Sequence, residues 1–304
     1  MITQTIDGIT FPMREACDFS FLRAYGKVFC VFAKNDSGNI SFGLDDGKRK
    51  TFVKLAGAHT AESFRSPAEA VAALRAAVPL YEALAHPYLI RLREHFTHES
   101  LYAAVFDWAE GDCLFDHWNF DLYASNPHLM PPRKRFHAMP RAKKLAAFDA
   151  IFAFLTHVEE RGYTAVDFYD GSILYDFARD TTMICDIDFF RKRPTVNDMG
   201  ADFWGTKRLK APEEYILGAV IDNVTNVFTL GAMLLHFFGQ YTESEIQQMY
   251  AANAFFPCRY ETWELSEPLY RAAVKAVNPE RAERYANLRA FQYAWQSAYH
   301  PIVL

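Results

Sequence analysis

A predicted β-hairpin near the middle of this 304-residue chain constrains its fold more than any other feature. Residues 172–176 and 181–185 are short apolar or β-branched runs, and the turn-like segment 177–180 separates them. Asp167 precedes the first run and Asp186 directly follows the second. Since a hairpin returns the chain to its starting edge, we expect both carboxylates on one side of a cleft. Aspartate between strands is also common in surface turns, which is the alternative for either residue alone.

Two carboxylates placed in this way are typical of phosphoryl transfer. One carboxylate accepts the hydrogen bond of the attacking hydroxyl, and the other holds the metal ion that neutralises the phosphates of the nucleotide. The spacing between Asp167 and Asp186 therefore favours a kinase.

The segments 166–174 and 184–188 resemble two motifs of the eukaryotic-type protein kinases, His-Arg-Asp-Leu-Lys-Pro-x-Asn and Asp-Phe-Gly. The resemblance implies that Asp167 is the catalytic aspartate and that Asp186 binds magnesium. Ser172 stands where the family has its metal-binding asparagine, and Asp188 stands where it has glycine. A serine hydroxyl is an admissible oxygen ligand for magnesium. Asp188 is either a compensating ligand or a solvated turn residue.

Three downstream segments continue the resemblance in the order of the family. Residues 205–213 resemble Gly-Thr-x-x-Tyr-x-Ala-Pro-Glu, the floor on which a peptide substrate rests. Residues 226–231 resemble Asp-Val-Trp-Ser-Leu-Gly at the head of a long buried helix. The segment 278–285 resembles the late motif with a buried arginine, which implies that Arg284 pairs with Glu213. A solvated helix arginine is the alternative.

The amino-terminal half resembles the nucleotide-binding lobe of the same family. Residues 51–56 resemble the Val-Ala-Ile-Lys strand, which implies that Lys54 contacts the phosphates of ATP. A lysine that discourages pairing at a sheet edge is the alternative. Residues 21–28 occupy the place of the Gly-rich loop. Only one of the three glycines of that loop remains, so we expect a looser grip on the phosphates. The candidate nucleotide contacts are Gly26, Val28, Lys54 and the hinge residues Asp107, Trp108 and Ala109.

Several helices and one insertion complete the predicted organisation. Residues 66–69 form a helix-start signature, and the helix that follows to Leu84 is expected to break at Pro79. The position of the family's lysine-pairing glutamate is Ala77, so the partner of Lys54 is unassigned. The apolar spacing of 141–161 predicts a core helix. The polar, proline-containing stretch 119–140 is predicted to be an inserted surface loop.

The resemblance extends from about residue 21 to residue 295 and implies an α+β, bilobal protein-kinase-like fold. We expect a small β-rich N-lobe at 1–106, with a five-stranded antiparallel sheet and one helix. A hinge at 107–111 follows, and then a larger helical C-lobe at 112–304.

Composition restricts the partners of the chain. The net charge of −5 provides no reason to expect binding to nucleic acid or to an anionic membrane. The five cysteines are odd in number and show no paired spacing, which argues against disulfides and zinc. There is no membrane-spanning apolar stretch and no signal-peptide pattern, so we expect a soluble cytoplasmic protein.

Two functions of different classes remain open. The first is transfer of a phosphoryl group from ATP, with Mg²⁺, to a Ser or Thr of a protein substrate. The second is a pseudokinase, a binding or scaffolding protein with little or no transfer activity, which the missing glycines and the altered catalytic loop favour. Phosphorylation of a small metabolite is disfavoured by the resemblance of 205–213 to a peptide-binding floor.

Overall fold

The structure is a computed structural model that describes residues 1–299, apart from the side chain of His117. The last five residues of the predicted helical lobe, 300–304, lie outside the described residues. The chain divides into two compact units, of which the first comprises 1–110 and 117–121 and the second comprises 111–116 and 122 onward. The first is rich in strands and the second is mainly helical, which confirms the predicted α+β class.

The first unit is built on antiparallel strands. Strands β3, β4, β5, β7 and β6 form a five-stranded sheet in that order, and β1 pairs with β2 in a separate hairpin. One helix, α1 (Pro67–Ala83), follows β5. The strands are β1 (Ile2–Ile6), β2 (Ile9–Met13), β3 (Lys27–Phe32), β4 (Asn39–Asp45), β5 (Lys50–Ala56), β6 (Leu92–His98) and β7 (Leu101–Asp107).

One face of this sheet carries the apolar core of the first unit. Side chains alternate between the two faces of a strand, and Phe42 and Val53 lie opposite each other on the core face. The amino-terminal segment covers that face, because the ring of Phe42 packs against those of Phe19 at 5.0 Å and Phe11 at 6.1 Å. The opposite face carries Lys54.

Helix α1 starts where the sequence predicts but does not break at Pro79. Ser66 and Glu69 form the reciprocal capping box of its first turn. Pro79 lies on the exposed face of the helix, where water can satisfy the carbonyl that loses its N–H partner. Beyond the proline, the ring of Tyr81 is buried 4.8 Å from that of Phe106. This packing offsets the proline penalty, so the helix continues to Ala83.

In the second unit, helices surround the buried helix α5. Gly231 on α5 permits a close approach of α7, because a Cβ there would lie 2.6 Å from that of Ala276.

Short strands form one three-stranded sheet, in the order β11-β10-β8, and the pairs β12–β9 and β13–β14. The helices are α2 (Phe120–Ser125), whose first two residues belong to the first unit, α3 (Pro132–His137), α4 (Arg141–Glu160), α5 (Asn223–Phe238), α6 (Glu243–Ala252), α7 (Glu267–Ala276) and α8 (Leu288–Tyr299). The strands are β8 (Asp112–Cys113), β9 (Tyr163–Thr164), β10 (Ile173–Asp176), β11 (Thr181–Ile184), β12 (Arg191–Lys192), β13 (Thr195–Val196) and β14 (Val220–Ile221).

The hairpin predicted at the middle of the chain is confirmed. Strands β10 and β11 pair antiparallel with Ile173 opposite Ile184. The amide of Cys185 donates to the carbonyl of Ser172 at 2.9 Å, which extends the pairing by one step. The residues before β10 and those after β11 therefore lie at the same end of the hairpin.

The prediction of a surface loop at 119–140 is wrong, because α2 and α3 lie within it. Helix α3 begins with prolines that fit a first helical turn. Its Phe136 is 1% exposed and packs edge-to-face against Tyr175 of β10 and Phe237 of α5, with centroids 5.1 Å away in each case. A single buried aromatic in a polar stretch is too weak a periodic signal to predict a docked helix.

No helix within residues 1–299 combines the length and the apolar character needed to cross a membrane.

Phe136→Ala tests whether α3 is part of the core. We expect a loss of about 3–5 kcal/mol in the unfolding free energy of the second unit, because the buried ring leaves a cavity. Leu129→Ala is the matched control, since Leu129 is 39% exposed in the same stretch and its loss should cost no more than about 0.5 kcal/mol. Urea unfolding measures both, and equal effects would contradict the docked helix.

Candidate catalytic loop site

Asp167 and Asp186 share the left-handed backbone conformation, which four other non-glycine residues of the described chain also adopt. Asp167 has φ of 59° and Asp186 has φ of 55°, which is the left-handed region. Aspartate is enriched there, but non-glycine residues are uncommon in it, and such strain is concentrated at functional sites. Asp167 is half-buried and Asp186 is exposed.

The hairpin brings the two carboxylates within electrostatic reach of one side chain. Burial raises the pKa of the Tyr169 hydroxyl, and the charges of Asp186 and Asp167 raise it further. One phenol therefore experiences the negative potential of both carboxylates.

The start of the loop that carries Asp167 is anchored to α5. The side-chain amide of Asn226 donates to the carbonyl of Ala165 at 2.8 Å, and its oxygen accepts from the amide of Ala165 at 2.8 Å. Both bonds are buried. Because a neutral amide can donate and accept at once, asparagine at 226 satisfies both backbone groups of one residue.

Glu213 and Arg284 form the ion pair that the sequence resemblance implies. The guanidinium of Arg284 donates to both carboxylate oxygens of Glu213, at 2.7 and 3.0 Å. Arg281 and the hydroxyl of Thr225 donate to Oε1 of the same carboxylate, at 2.6 and 2.9 Å. Burial raises the pKa of Glu213, but the hydrogen bonds and charge of Arg284 outweigh burial, so the pKa is lowered. No sequence motif points to Arg281 as a second partner.

A small cavity of about 10 Å³ lies beside Asp167. Lys210 and Glu214 contribute to its wall, together with Gly205, Thr206 and Thr229. The ammonium of Lys210 donates to the carbonyls of Ala201 and Phe203, at 3.2 and 2.6 Å. Lys210 therefore ties residues 201–203 to the segment that resembles the substrate floor.

Glu214 is a buried carboxyl group whose ionisation is suppressed. Its Oε2 accepts from the amide of Ala211 at 2.7 Å. Burial, assisted by the charge of Glu213, raises the pKa of Glu214 to about 8. Glu214 is therefore mainly protonated at neutral pH. The sequence alone does not reveal this, because Glu214 directly follows the motif glutamate and reads as a solvated neighbour.

A further buried carboxylate lies within the segment that resembles the catalytic loop of protein kinases. Asp170 is fully buried, and both of its oxygens accept hydrogen bonds from Arg208. Arg133 of α3 approaches the same carboxylate at 3.5 Å. No motif of the sequence points to Arg208 or Arg133 as a partner of Asp170. The only available signal was the acidic residue at 170 in place of the family's proline.

The candidate magnesium ligands are hard oxygen groups. Ser172 is fully buried, and its hydroxyl has no hydrogen-bond partner among the described residues, whereas Asp188 is half-buried. Within the described part of the chain, no cluster of three or more His, Cys, Asp or Glu side chains is placed to hold a metal ion. Magnesium is usually bound by one or two carboxylates together with substrate phosphates. Asp186, Asp188 and Ser172 fit that donor chemistry.

In the first unit, Lys54 lies on the central strand of the five-stranded sheet, which excludes the role of an edge-strand charge. Its backbone is flanked by Ser41 on β4 and Ala104 on β7. The residue is only 9% exposed. In protein kinases the phosphate-binding lysine is on the third strand, and β5 is the third strand of this sheet in chain order.

Aromatic side chains cover part of the face that carries Lys54. Phe52 lies two residues earlier on the same face, and its ring contacts Phe106 at 6.1 Å, Phe32 at 6.1 Å and Trp108 at 6.5 Å. A Cβ on Gly43 would lie 2.8 Å from the ring of Trp108. The glycine therefore lets the indole pack directly on the sheet.

The residues predicted for the Gly-rich loop do not form a loop between two strands of the sheet. Residues Ser20–Tyr25 form a 3-10 helix before β3, and Gly26 follows it with φ of 115°. A Cβ on Gly26 would clash with the backbone of Asp45, so this glycine serves close packing. Val28 is 2% exposed in the apolar core of the first unit. The turn between β3 and β4 instead spans 33–38.

The three predicted hinge residues end β7 and continue beyond it. Asp107 pairs with Arg93 at 2.9 Å, and the amide of Trp108 donates to the carbonyl of Lys50 at 3.3 Å. The ring of Trp108 packs 4.8 Å from that of Phe29. Ala109 is half-buried.

No protein-family model matches this chain, and no curated protein sequence matches it either. The resemblance to protein kinases therefore rests on the motifs and on the local geometry described above.

The raised pKa of Glu214 predicts a pH dependence of stability. The unfolded carboxyl has a pKa of about 4.5 and the folded one about 8. The stabilising contribution is therefore complete below pH 4.5 and is lost as the pH rises toward 8. In the parent, the unfolding free energy should fall by as much as about 4 kcal/mol over this pH range, and we expect Glu214→Gln to remove this fall. Urea unfolding from pH 5 to pH 8 measures the decline. Glu243→Gln, at an exposed position, should leave it intact, and a parental decline in Glu214→Gln would contradict the assignment.

Proposed function

We propose that this chain is a protein-kinase-like phosphotransferase that uses ATP and Mg²⁺ and transfers the γ-phosphoryl group to a Ser or Thr of a protein. The observation that carries this proposal is the pair of left-handed aspartates, Asp167 and Asp186, at one end of a buried hairpin. Strain at two acidic residues in one place favours a catalytic role over two ordinary turns.

The proposed roles follow from the chemistry of each group. Asp167 accepts the proton of the substrate hydroxyl, because it is half-buried at a cavity beside the 205–213 segment. Asp186 is the main ligand of magnesium, with Ser172 and Asp188 as further oxygen donors. Lys54 is assigned to the phosphates of ATP. Bound magnesium would neutralise phosphate charge.

The Glu213–Arg284 pair supports the assignment of 205–213 as a substrate floor. A buried ion pair is costly to break from one side and holds its segment in one conformation. Anchoring of Ala165 by Asn226 has the same effect on the loop that carries Asp167. A phosphoryl-transfer site works mainly by positioning, so rigid support of both segments is what such a site requires.

A pseudokinase is the second candidate, and the aromatic face of the first unit favours it. The family's Val-Ala-Ile-Lys strand has alanine two residues before the lysine, and here that position is Phe52. Phe52 and Phe32 lie on the same sheet face as Lys54, and Trp108 packs against Phe52. A side chain that covers this surface weakens nucleotide binding without affecting the fold.

Asp167→Asn tests the proposed base. We expect at least about a 100-fold loss of phosphoryl transfer, because general-base catalysis contributes about that much or more. Binding of ATP and Mg²⁺ should remain parental. Phosphoryl transfer is measured with labelled γ-phosphate, using dephosphorylated casein and the chain itself as acceptors. Nucleotide binding is measured as thermal stabilisation by ATP. Asp180→Asn, in the turn of the same hairpin, is the control. Parental transfer by Asp167→Asn would exclude Asp167 as the base.

Phe52→Ala tests the second candidate. If the aromatic face limits nucleotide binding, the variant should bind ATP roughly tenfold more tightly, which corresponds to about 1.4 kcal/mol. Isothermal titration with ATP, with and without Mg²⁺, measures the change. Phe64→Ala is the control, because Phe64 is 91% exposed and lies outside this cluster. Unchanged or weaker affinity in a folded Phe52→Ala protein would argue against an occluding role.

A further inference from the structure

Asp170 forms the most completely buried ion cluster of the catalytic-loop segment. Nη1 of Arg208 donates to Oδ2 at 2.9 Å, and Nη2 donates to Oδ1, so the pairing is bidentate. Asp170 is 0% exposed and Arg208 is 7% exposed. Bidentate arginine–carboxylate pairs are the strong and geometrically specific ones, since two parallel bonds fix the relative orientation of both groups.

Further groups surround the same pair. The guanidinium of Arg208 lies 4.8 Å above the ring of Phe115. The face of the guanidinium therefore makes a cation–π contact, while its edge donates to Asp170. Arg133 approaches Oδ2 of Asp170 at 3.5 Å. Burial lowers the pKa of Arg133 to about 10, and the positive charge of Arg208 contributes to the shift.

The cluster joins three separate segments of the second unit. Asp170 lies three residues after the proposed base, Arg208 lies in the middle of 205–213, and Arg133 is on α3. Helix α3 is itself fixed, because Phe136 is buried and Arg135 pairs with Asp112 at 2.8 Å. The segment 205–213 is therefore held to the loop 167–172 at its centre, and by the Glu213–Arg284 pair at its end.

The Asp170–Arg208 pair is similar to the pairing of a phosphate with arginine that orders segments in phosphorylated proteins. A phosphoryl group on a flexible segment orders that segment by pairing with arginine. In this chain the negative charge is already part of the loop, at Asp170, and the arginine is on the segment, at Arg208. The residue before Asp167 is Val166, which cannot pair with a phosphate.

We propose that Asp170 and Arg208, assisted by Arg133, are positioning residues that hold the 205–213 segment in its working arrangement without phosphorylation. The effect of this arrangement on catalysis rests on the proposed function, whereas the ordering of the segment does not. Asp170 acts through the segment and has no contact with the reacting atoms in this proposal.

The ordering is tested by amide hydrogen exchange of peptides from 205–213 in the full chain. We expect Asp170→Asn and Arg208→Lys to accelerate exchange at least tenfold, because each removes the bidentate charge pair. Asp170→Glu keeps the charge and should restore part of the protection. Asp176→Asn is the matched control, because Asp176 is also buried but bonds only within its own turn. Parental exchange in both Asp170→Asn and Arg208→Lys would overturn the proposal.

Two further measurements separate this inference from the proposed function. Treatment with a broad-specificity phosphatase should leave the exchange of 205–213 unchanged, and faster exchange after treatment would overturn the proposal. In the transfer assay, Asp170→Asn should raise KM for casein at least tenfold with KM for ATP unchanged. A chain without transfer activity would refute the proposed function alone, because the exchange result still decides the ordering.

Discussion

The second unit depends on the ion pairs and hydrogen bonds made to the buried carboxylate of Glu213. Arg284 satisfies both of its oxygens, and Arg281 and Thr225 supply further donors. These partners come from α5 and from the segment before α8, so one carboxylate joins parts of the chain about seventy residues apart. Removal of the Glu213 carboxylate leaves the buried guanidinium of Arg284 without its anionic partner, which is far more costly than loss of an exposed pair.

Several ionisable side chains are buried along the segment 205–214, and each is stabilised in a different way. Glu213 stays ionised because arginine donors outweigh its burial, whereas Glu214, with a backbone amide as its partner, is largely neutral at pH 7. Arg208 is compensated by Asp170, and Lys210 by two backbone carbonyls. Polar groups in such a segment have few alternative arrangements, because any rearrangement would leave a charge or a donor unsatisfied. The segment is therefore specified by its polar partners as much as by apolar packing.

The first unit combines a five-stranded antiparallel sheet with an aromatic surface. Lys54 occupies the third strand of a five-stranded antiparallel sheet, and one face of that sheet is a closed apolar core. The opposite face carries Lys54, Phe52 and Phe32, and the ring of Trp108 packs against that of Phe52. The two candidate functions differ in the room that these rings leave on the sheet and in the altered loop around Asp167.

The amino-acid sequence by itself determined the α+β class, the hairpin of β10 and β11 and the start of α1. These features follow from local patterns of β-branched residues, turns and caps, which act within a few residues. It also indicated Arg284 as a partner of Glu213, through ordered motifs. Only the tertiary structure decided that Gly26 and Val28 belong to the packing of the first unit, that 119–140 contains a docked helix, and that Asp170 meets Arg208 and Arg133. Those outcomes depend on contacts between residues that are distant in sequence, and burial of a charge becomes decisive only when the fold has removed it from water.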